Sequence, residues 1–512
     1  MQLLKTIPCH INLTKRLINH SNKCFLSSSQ KLFSEKESDE DPNHPLRRTL
    51  NLLTRDFKSM RDFFRTSPNA TESNDQKSNE KFSKDPDVPT EEFQTHCDVL
   101  IIGGGGIGSS ISYWLKEKAR NGLNVVVVEK DPTYRKSFAV QSYHGLHQNF
   151  TVPENIQVSM YGADFIRDIK KHLGNVNVNF TPYGSLRLAC EENVDELKSI
   201  SRLQNELGVR NELLTPEKIK AKFPWINTEG IVLGSHGLEK EGWFDPLALL
   251  FGYKNKALEY GAHFVDGEII GFELQSQSNV LVDGEEAQGY QALDKAVVKM
   301  HDGEKRTIKF ALCVIAGGSS SGKIARLARI GNATGLLSIP LPVEERKRNK
   351  YVFSSMGQEV PAFSTPLVID PSGCYFTREG LSGNYLCGTN KSTLNEAKIQ
   401  NSESGQDIFE TEILPNLSQR VKAFSDAKVK KSWTETYEYN SFDENGIIGT
   451  HPYYNNLYIA TGFNRHGIQQ SPAVGRGISE LIIDGRYRSI DLSRLGFDRF
   501  VVNQPLYEVS AI

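Results

Sequence analysis

Near the end of the chain, Tyr458 to Arg476 read YIATGFNRHGIQQSPAVGR, placing Asn464, Arg465 and His466 between Gly462 and Gly467. A small-residue turn leading into a helix leaves backbone N–H groups free to meet a polar ligand. Gly467 and Ile468 would supply those donors, and His466 is the nearest titratable side chain, suited to donating a hydrogen bond or moving a proton. A second such stretch lies far upstream, where Cys97 to Lys130 read CDVLIIGGGGIGSSISYWLKEKARNGLNVVVVEK. Within its Gly103-x-Gly105-x-x-Gly108, the first glycine permits a tight turn, the second lets backbone approach a pyrophosphate, and the third lets helix and strand pack closely. Glu129 then offers a carboxylate to ribose hydroxyls and would repel a 2′-phosphate, which argues against NADP. The chemistry these residues suit is dinucleotide binding and, with it, hydride transfer.

The elements that must hold them can be read from the same stretches. An apolar strand, Asp98 to Ile102, enters the glycine turn. A helix follows with Ile107, Ile111, Trp114 and Leu115 on one side, and a second strand, Val125 to Val128, ends at Glu129. A third glycine-rich segment, FALCVIAGGSSSGKIARLA (310–328), nearly spells a phosphate-binding loop, but Ile324 stands where Ser or Thr would hold Mg²⁺. It reads instead as a strand bringing Ala316 and Gly317 to the same dinucleotide. Before it, Asp302-Gly303 predicts a hairpin, and Asp245-Pro246 predicts a helix start running through Tyr260. Trp243 and Phe244 are read as core packing at a junction. The run Arg346, Lys347, Arg348 predicts a solvated face, unless strand alternation sends one side inward.

The chain has 512 residues, enough for two large units with a sizeable core. A net charge of −2 gives no electrostatic case for nucleic acid, and no apolar run approaches a membrane-spanning length. Seven scattered cysteines show neither metal-binding spacing nor a disulfide framework; Cys97 and Cys313 read as buried thiols in strands. Residues 1–34 contain Lys5, Lys15, Arg16, Lys23 and Lys31 without Asp or Glu and end Ser-rich, the composition of a mitochondrial presequence. Residues 35–96 read as a polar, largely disordered linker containing one short helix around TRDFKSMRDFFR, with folded structure starting near Cys97.

With its three glycine-rich segments in this order, the chain resembles the D-amino-acid oxidase and sarcosine oxidase group of FAD-dependent oxidoreductases from Cys97 to Phe500. The stretches that carry the resemblance include VPENIQ (152–157), FPWINTEG (223–230), EGWFDP (241–246), LPVEERKR (341–348), YFTREG (375–380), FDENGIIG (442–449) and ATGFNRHGIQQSP (460–472). The resemblance implies an α/β fold. In it a Rossmann-like FAD-binding domain (about 97–175, 240–335 and 432–490) is interleaved with a smaller mixed β-sheet substrate domain (about 176–239 and 336–431). It implies FAD contacts at Gly103, Gly105, Ile107, Gly108, Glu129, Lys130, Ala316, Gly317, Gly462, Phe463, His466, Gly467 and Ile468. Arg378 and His466 are the candidate catalytic residues for oxidising a small secondary or tertiary amine, such as an N-methyl amino acid.

Similarity within the group is greatest to a mitochondrial branch that serves assembly of respiratory complex I. That implies complex I subunits or assembly intermediates as partners, in the matrix or peripherally at the matrix face of the inner membrane. Relatives that bind FAD covalently use a His in the loop after the first βαβ unit or a Cys in the C-terminal third. Ser142 and Thr436 stand at those places, so the FAD implied is non-covalent; His144 occupies a position where near relatives tend to carry Gly. Amine-oxidising relatives resemble GFSGHGFK, whose Lys anchors a substrate carboxylate; Gln469 stands there in this chain.

Overall fold

The computed structural model describes residues 93–135, 137, 144–277, 290–356, 359–380, 383–390 and 406–508. The predicted presequence, most of the predicted linker with its short helix, and Ser142 lie outside the described residues, as do the surroundings of the His144 side chain.

The first βαβ unit forms where the sequence places it: β1 (His96–Ile102), α1 (Gly106–Ala119) and β2 (Val125–Glu129). The strand β3 (His144–Leu146) pairs with β7 (Gly242–Phe244) as a two-stranded ribbon, with α2 (Pro153–Arg167) between them in the chain. Asp245 then caps α3 (Pro246–Glu259), its side chain accepting from the N–H groups of Leu247 and Ala248. Next come the long strands β8 (His263–Ser276), β9 (Gln291–Met300) and β10 (Lys305–Ile315). The turn between β9 and β10 holds Asp302 and Gly303, as the hairpin signal required. Strands β16 (Ile447–Thr450) and β17 (Leu457–Thr461) follow much later and lead to α5 (Gly467–Asp484), while α4 (Ser321–Leu327) follows β10.

Strands β8, β2, β1, β10 and β17 lie side by side and parallel, with β16 antiparallel at one edge and β9 bridging the far halves of β8 and β10. Because successive side chains face opposite ways, Val99 and Ile101 pack with Ile107, Ile111 and Leu115 of α1, whereas Leu100 and Ile102 face the layer containing β9 and α4. Helices α1 and α5 cross closely: a Cβ on Gly475 would lie 2.2 Å from Ser110 Oγ, which donates to Ser471 O.

A second sheet takes its strands from the intervening chain: β4 (Ser185–Ala189), β5 (Asn211–Leu214), β6 (Leu233–Gly237), β11 (Val343–Ser354), β12 (Leu367–Ile369), β13 (Cys374–Glu379), β14 (Asn384–Thr389) and β15 (Lys428–Asn440). Its order is β15-β11-β14-β13-β12-β4-β6-β5, antiparallel except between β12 and β4. One face, bearing Tyr351, Phe353, Phe376 and Tyr385, is apolar and covered by Phe409, Ile413, Leu417 and Phe424. The other face carries Arg348, Lys350, Tyr375 and Glu435. No helix among the described residues is long and apolar enough to cross a membrane.

Candidate functional site

A cleft of about 770 Å³ opens at the carboxyl ends of β1, β2 and β10, where a doubly wound sheet places its ligand. Gly103, Gly105, Ile107, Glu129, Lys130, Ala316 and Gly317 line one part of it, and Gly467 and Ile468 another. Gly103 has φ of +102°, and a Cβ there would lie 2.3 Å from Ala316 O, so the turn admits only glycine. A Cβ on Gly108 would lie 1.9 Å from Gly103 O; this glycine seats α1 behind the cleft wall and does not line the cleft. At Gly105 the same space is open, and this N-cap residue supplies no side-chain acceptor, so the first N–H groups of α1 have none from it. The buried hydroxyl of Tyr134, also on the wall, has no hydrogen-bond partner. An open glycine cradle, an uncapped helix start and an unpartnered donor fit a pyrophosphate.

Glu129 organises this end as well as facing it. Its Oε2 accepts the Gly104 N–H at 2.7 Å and its Oε1 the Asp131 N–H at 2.9 Å, so it holds the glycine turn against the end of β2. Each oxygen retains a lone pair for a ribose hydroxyl. Lys130 Nζ donates to Ser320 Oγ at 2.8 Å, which ties the glycine-rich segment 310–328 across the cleft.

The other end is built around a half-buried carboxylate that sequence reasoning missed. Glu438 Oε2 accepts from Thr461 Oγ1 at 2.7 Å and from the Gly462 N–H at 2.8 Å. Burial raises its pKa against the pull of those donors. Gly462 and Phe463 therefore turn towards Glu438 and are not part of the cleft lining, whereas Glu438, Thr436 and Glu345 are. Only the pairing of β11 with β15, which sets Glu345 opposite Glu438, brings these residues there.

Asn464, Arg465 and His466 each sit in the turn for a different reason. Asn464 adopts φ of +53°, accepts from the Asn440 N–H and donates to Glu444 O, a backbone conformation Asn tolerates. Arg465 Nη1 donates to Asn390 Oδ1 at 2.7 Å. His466 is buried, with its ring edge-on to those of His147 and Phe150 at centroid distances of 5.3 and 4.9 Å. Gln469 is committed within the same cluster: Oε1 accepts the His147 N–H at 3.1 Å and Nε2 lies 3.3 Å from His466 Nδ1. His466 is thus one residue from the cleft wall but does not line it.

Arg378 is held elsewhere. Its Nη1 donates to Pro361 O at 2.8 Å and to the Tyr385 hydroxyl at 3.1 Å, with its guanidinium over Phe363. The Arg346–Arg348 run is not uniformly solvated, because alternation along β11 exposes Lys347 and buries Arg348. Arg348 pairs with Glu435, and Lys350, two residues on, donates to the Tyr375 hydroxyl. No local motif marks Lys350, Tyr375 or Glu435; their partners are remote in sequence.

Residues 98–481 match the family model described as FAD dependent oxidoreductase. Among relatives, the chain is 52% identical over 482 residues to an FAD-dependent oxidoreductase domain-containing protein 1 homolog from Drosophila melanogaster, covering 92% of each chain. It is 27% identical to the mitochondrial dimethylglycine dehydrogenase of Rattus norvegicus, spanning 80% of this chain and 45% of that one. Among solved structures, L-proline dehydrogenase from P. horikoshii superposes with a TM-score of 0.65 at 24% identity, over 81% of this chain and all of that one. The chain belongs to the FAD dependent oxidoreductase family, and FAD is its cofactor.

Proposed function

We propose that this member of the family is a mitochondrial flavoprotein of the matrix, or of the matrix face of the inner membrane, that serves assembly of respiratory complex I through contact with its subunits or assembly intermediates. FAD, when bound, supplies a two-electron acceptor. The chain's own residues hold it: Gly105 and the start of α1 at the pyrophosphate, Glu129 at the ribose, and the N–H groups of Gly467 and Ile468 at the polar edge of the ring system. The observation that carries the assembly reading is Gln469. Where amine-oxidising relatives present a Lys to the substrate carboxylate, this chain has an amide committed to His147 and His466. The glycine turn and Glu129 line the cofactor cleft, while Gln469 replaces that anchor for amine substrates. Likeness over nearly the full length of the Drosophila protein, against 45% of dimethylglycine dehydrogenase, supports the same grouping.

The test is complementation of cells lacking the chain, reading assembled complex I on native gels. Wild type should restore it, as should a His466→Ala variant that keeps FAD, and residues 1–34 fused to a reporter should direct import. Failure of wild type to alter complex I would overturn the proposal. A second reading, oxidation of a small secondary or tertiary amine, draws on relatives named for dimethylglycine and L-proline. Anaerobic mixing with N-methylglycine, N,N-dimethylglycine and proline should leave the flavin oxidised if assembly is the role; bleaching would favour the second reading.

A further inference from the structure

Loop 147–152 joins β3 to α2 and is buried for most of its length without forming strand or helix, so its N–H groups need partners from elsewhere. Side chains remote in sequence supply them at both ends. The His147 N–H donates to Gln469 Oε1 and the Gln148 N–H to Glu241 Oε1, each at 3.1 Å. At the far end Thr151 and Val152 donate their N–H groups to the two oxygens of Glu508, at 2.7 and 3.0 Å. Thr151 Oγ1 and Asn155 Nδ2 donate to the same carboxylate, each at 2.8 Å. Glu508 therefore sits at the start of α2, where the helix dipole favours negative charge and Val152 offers no side-chain cap. It is only 6% exposed, and these donors offset the cost of burying its charge.

Glu508 is carried by a strap, residues 503–508, that follows the short helix Asp498–Val501 and lies beyond residues 98–481 of the family match. Asn503, Gln504, Pro505 and Tyr507 face solvent, Tyr507 at 63% exposure, while Leu506 and Glu508 turn inward. The Leu506 N–H donates to Asp443 Oδ2 at 3.0 Å, Asn445 Nδ2 to Leu506 O at 3.1 Å, and the Glu508 N–H to Asp443 O at 3.3 Å. Arg499 Nε holds Asp443 in turn, at 2.7 Å. The strap thus ties segment 443–445, ahead of β16, to loop 147–152. Both segments pack on the turn before α5: Glu444 O accepts from Asn464, and the rings of His147 and Phe150 meet His466. Gly467, the residue after His466, lines the cleft. The strap adds no strand to either sheet, so it can leave without breaking their pairing.

We propose that strap 503–508 is a latch on this end of the cleft, with Glu508 as a positioning residue that fixes loop 147–152 against His466 and Gln469. Docked, the strap keeps the His147–Phe150–His466 cluster closed behind Gly467. Undocked, it leaves the Thr151 and Val152 N–H groups without acceptors, and the loop loosens together with the turn it packs on. That this wall borders the flavin ring rests on the reading of Gly467 and Ile468 given above; the coupling between strap, loop and turn does not.

The test is hydrogen–deuterium exchange of the purified flavoprotein, comparing wild type with Glu508→Gln and with a chain ended after Val502. Gln keeps the size of the side chain but sets an NH2 group against donors. In both variants segments 147–152 and 463–469 should exchange about tenfold faster while 98–129 stays unchanged, and FAD should dissociate about tenfold faster on dilution. The peptide of residues 503–512, added at millimolar concentration to the shortened chain, should slow exchange and release again. If the shortened chain does not fold, Glu508→Gln decides alone. Faster exchange at 147–152 with 463–469 and FAD release unchanged, an increase spread evenly through β1 and α1, or no recovery with the peptide would overturn the latch. Wild type purified without FAD would instead sink the cofactor reading, and the exchange comparison would still decide this one.

Discussion

At the pyrophosphate end of the cleft, Gly103, Gly105 and Gly108 act by having no side chain; at the other end, half-buried Glu438 and buried Gln469, Arg348 and Glu435 act through polar groups that need partners. The first end is set by backbone-to-backbone distances at Gly103 and Gly108, where an added methyl has nowhere to go, and by the open space over Gly105. The second is set by pairing across strands, and its tolerance depends on which partner is left behind. The difference teaches that cofactor capture in this fold is a local property of one βαβ unit, whereas whatever meets the ring is specified by the register of a separate sheet.

That contrast can be broken most forcefully at Glu435. Glu435→Gln leaves Arg348 and Lys350 without their carboxylate, and loss of one member of a buried pair costs about 3–5 kcal/mol. Chemical denaturation should show that loss. An unchanged midpoint would mean the ring end is as insensitive to charge as the glycine end.

A second probe of the ring end is pH. Glu241 is buried, accepts from Ser185 Oγ at 2.5 Å and from the Gln148 N–H at 3.1 Å, and burial nonetheless pushes its pKa up to about 7. A carboxyl with a raised folded-state pKa binds more protons folded than unfolded. Its contribution is therefore favourable at low pH and is lost as pH rises from about 4.5 through about 7. The stability difference between wild type and Glu241→Gln should change by about 3 kcal/mol across that window, wild type becoming relatively weaker as pH rises. Nearby His147, lowered to about 3 by burial, acts oppositely, losing stability as pH falls below about 6.5. It is common to both proteins and cancels in the difference. A flat difference would show that Glu241 keeps an ordinary pKa.

At the glycine end the expected stability effect is smaller, but the functional effect is complete. Gly103→Ala forces an L-residue to φ of +102°, a backbone strain of about 1–3 kcal/mol, and sets its methyl against Ala316 O. The variant should fold and purify without FAD. Full retention of FAD would mean that the glycine spacing is not what holds the pyrophosphate.

The same contrast explains what was legible in the sequence. Glycine spacing, the Asp245-Pro246 helix start and the Asp302-Gly303 hairpin are local signals, and each element lies where they place it. The Arg348–Glu435 pair joins residues 87 apart and exists only in one register of β11 against β15. Read alone, LPVEERKR suggests a solvated face, yet alternation buries one of its cations beside Lys350. Glu438 looks like any strand carboxylate until the pairing puts it at Thr461 and Gly462. The sequence also suggested that the cluster Gly462, Phe463 and His466 faced the cofactor as a unit. The structure separates it, because Glu438 claims the first and the His147–Phe150 cluster encloses the last.

The central claim, that the cleft holds FAD without a covalent bond, is tested most directly by acid-precipitating the purified protein and measuring FAD in supernatant and pellet. The account predicts about one FAD per chain in the supernatant and none in the pellet, since the described cleft lining contains neither cysteine nor histidine. Flavin that stays with the pellet, or no flavin at all, would contradict it.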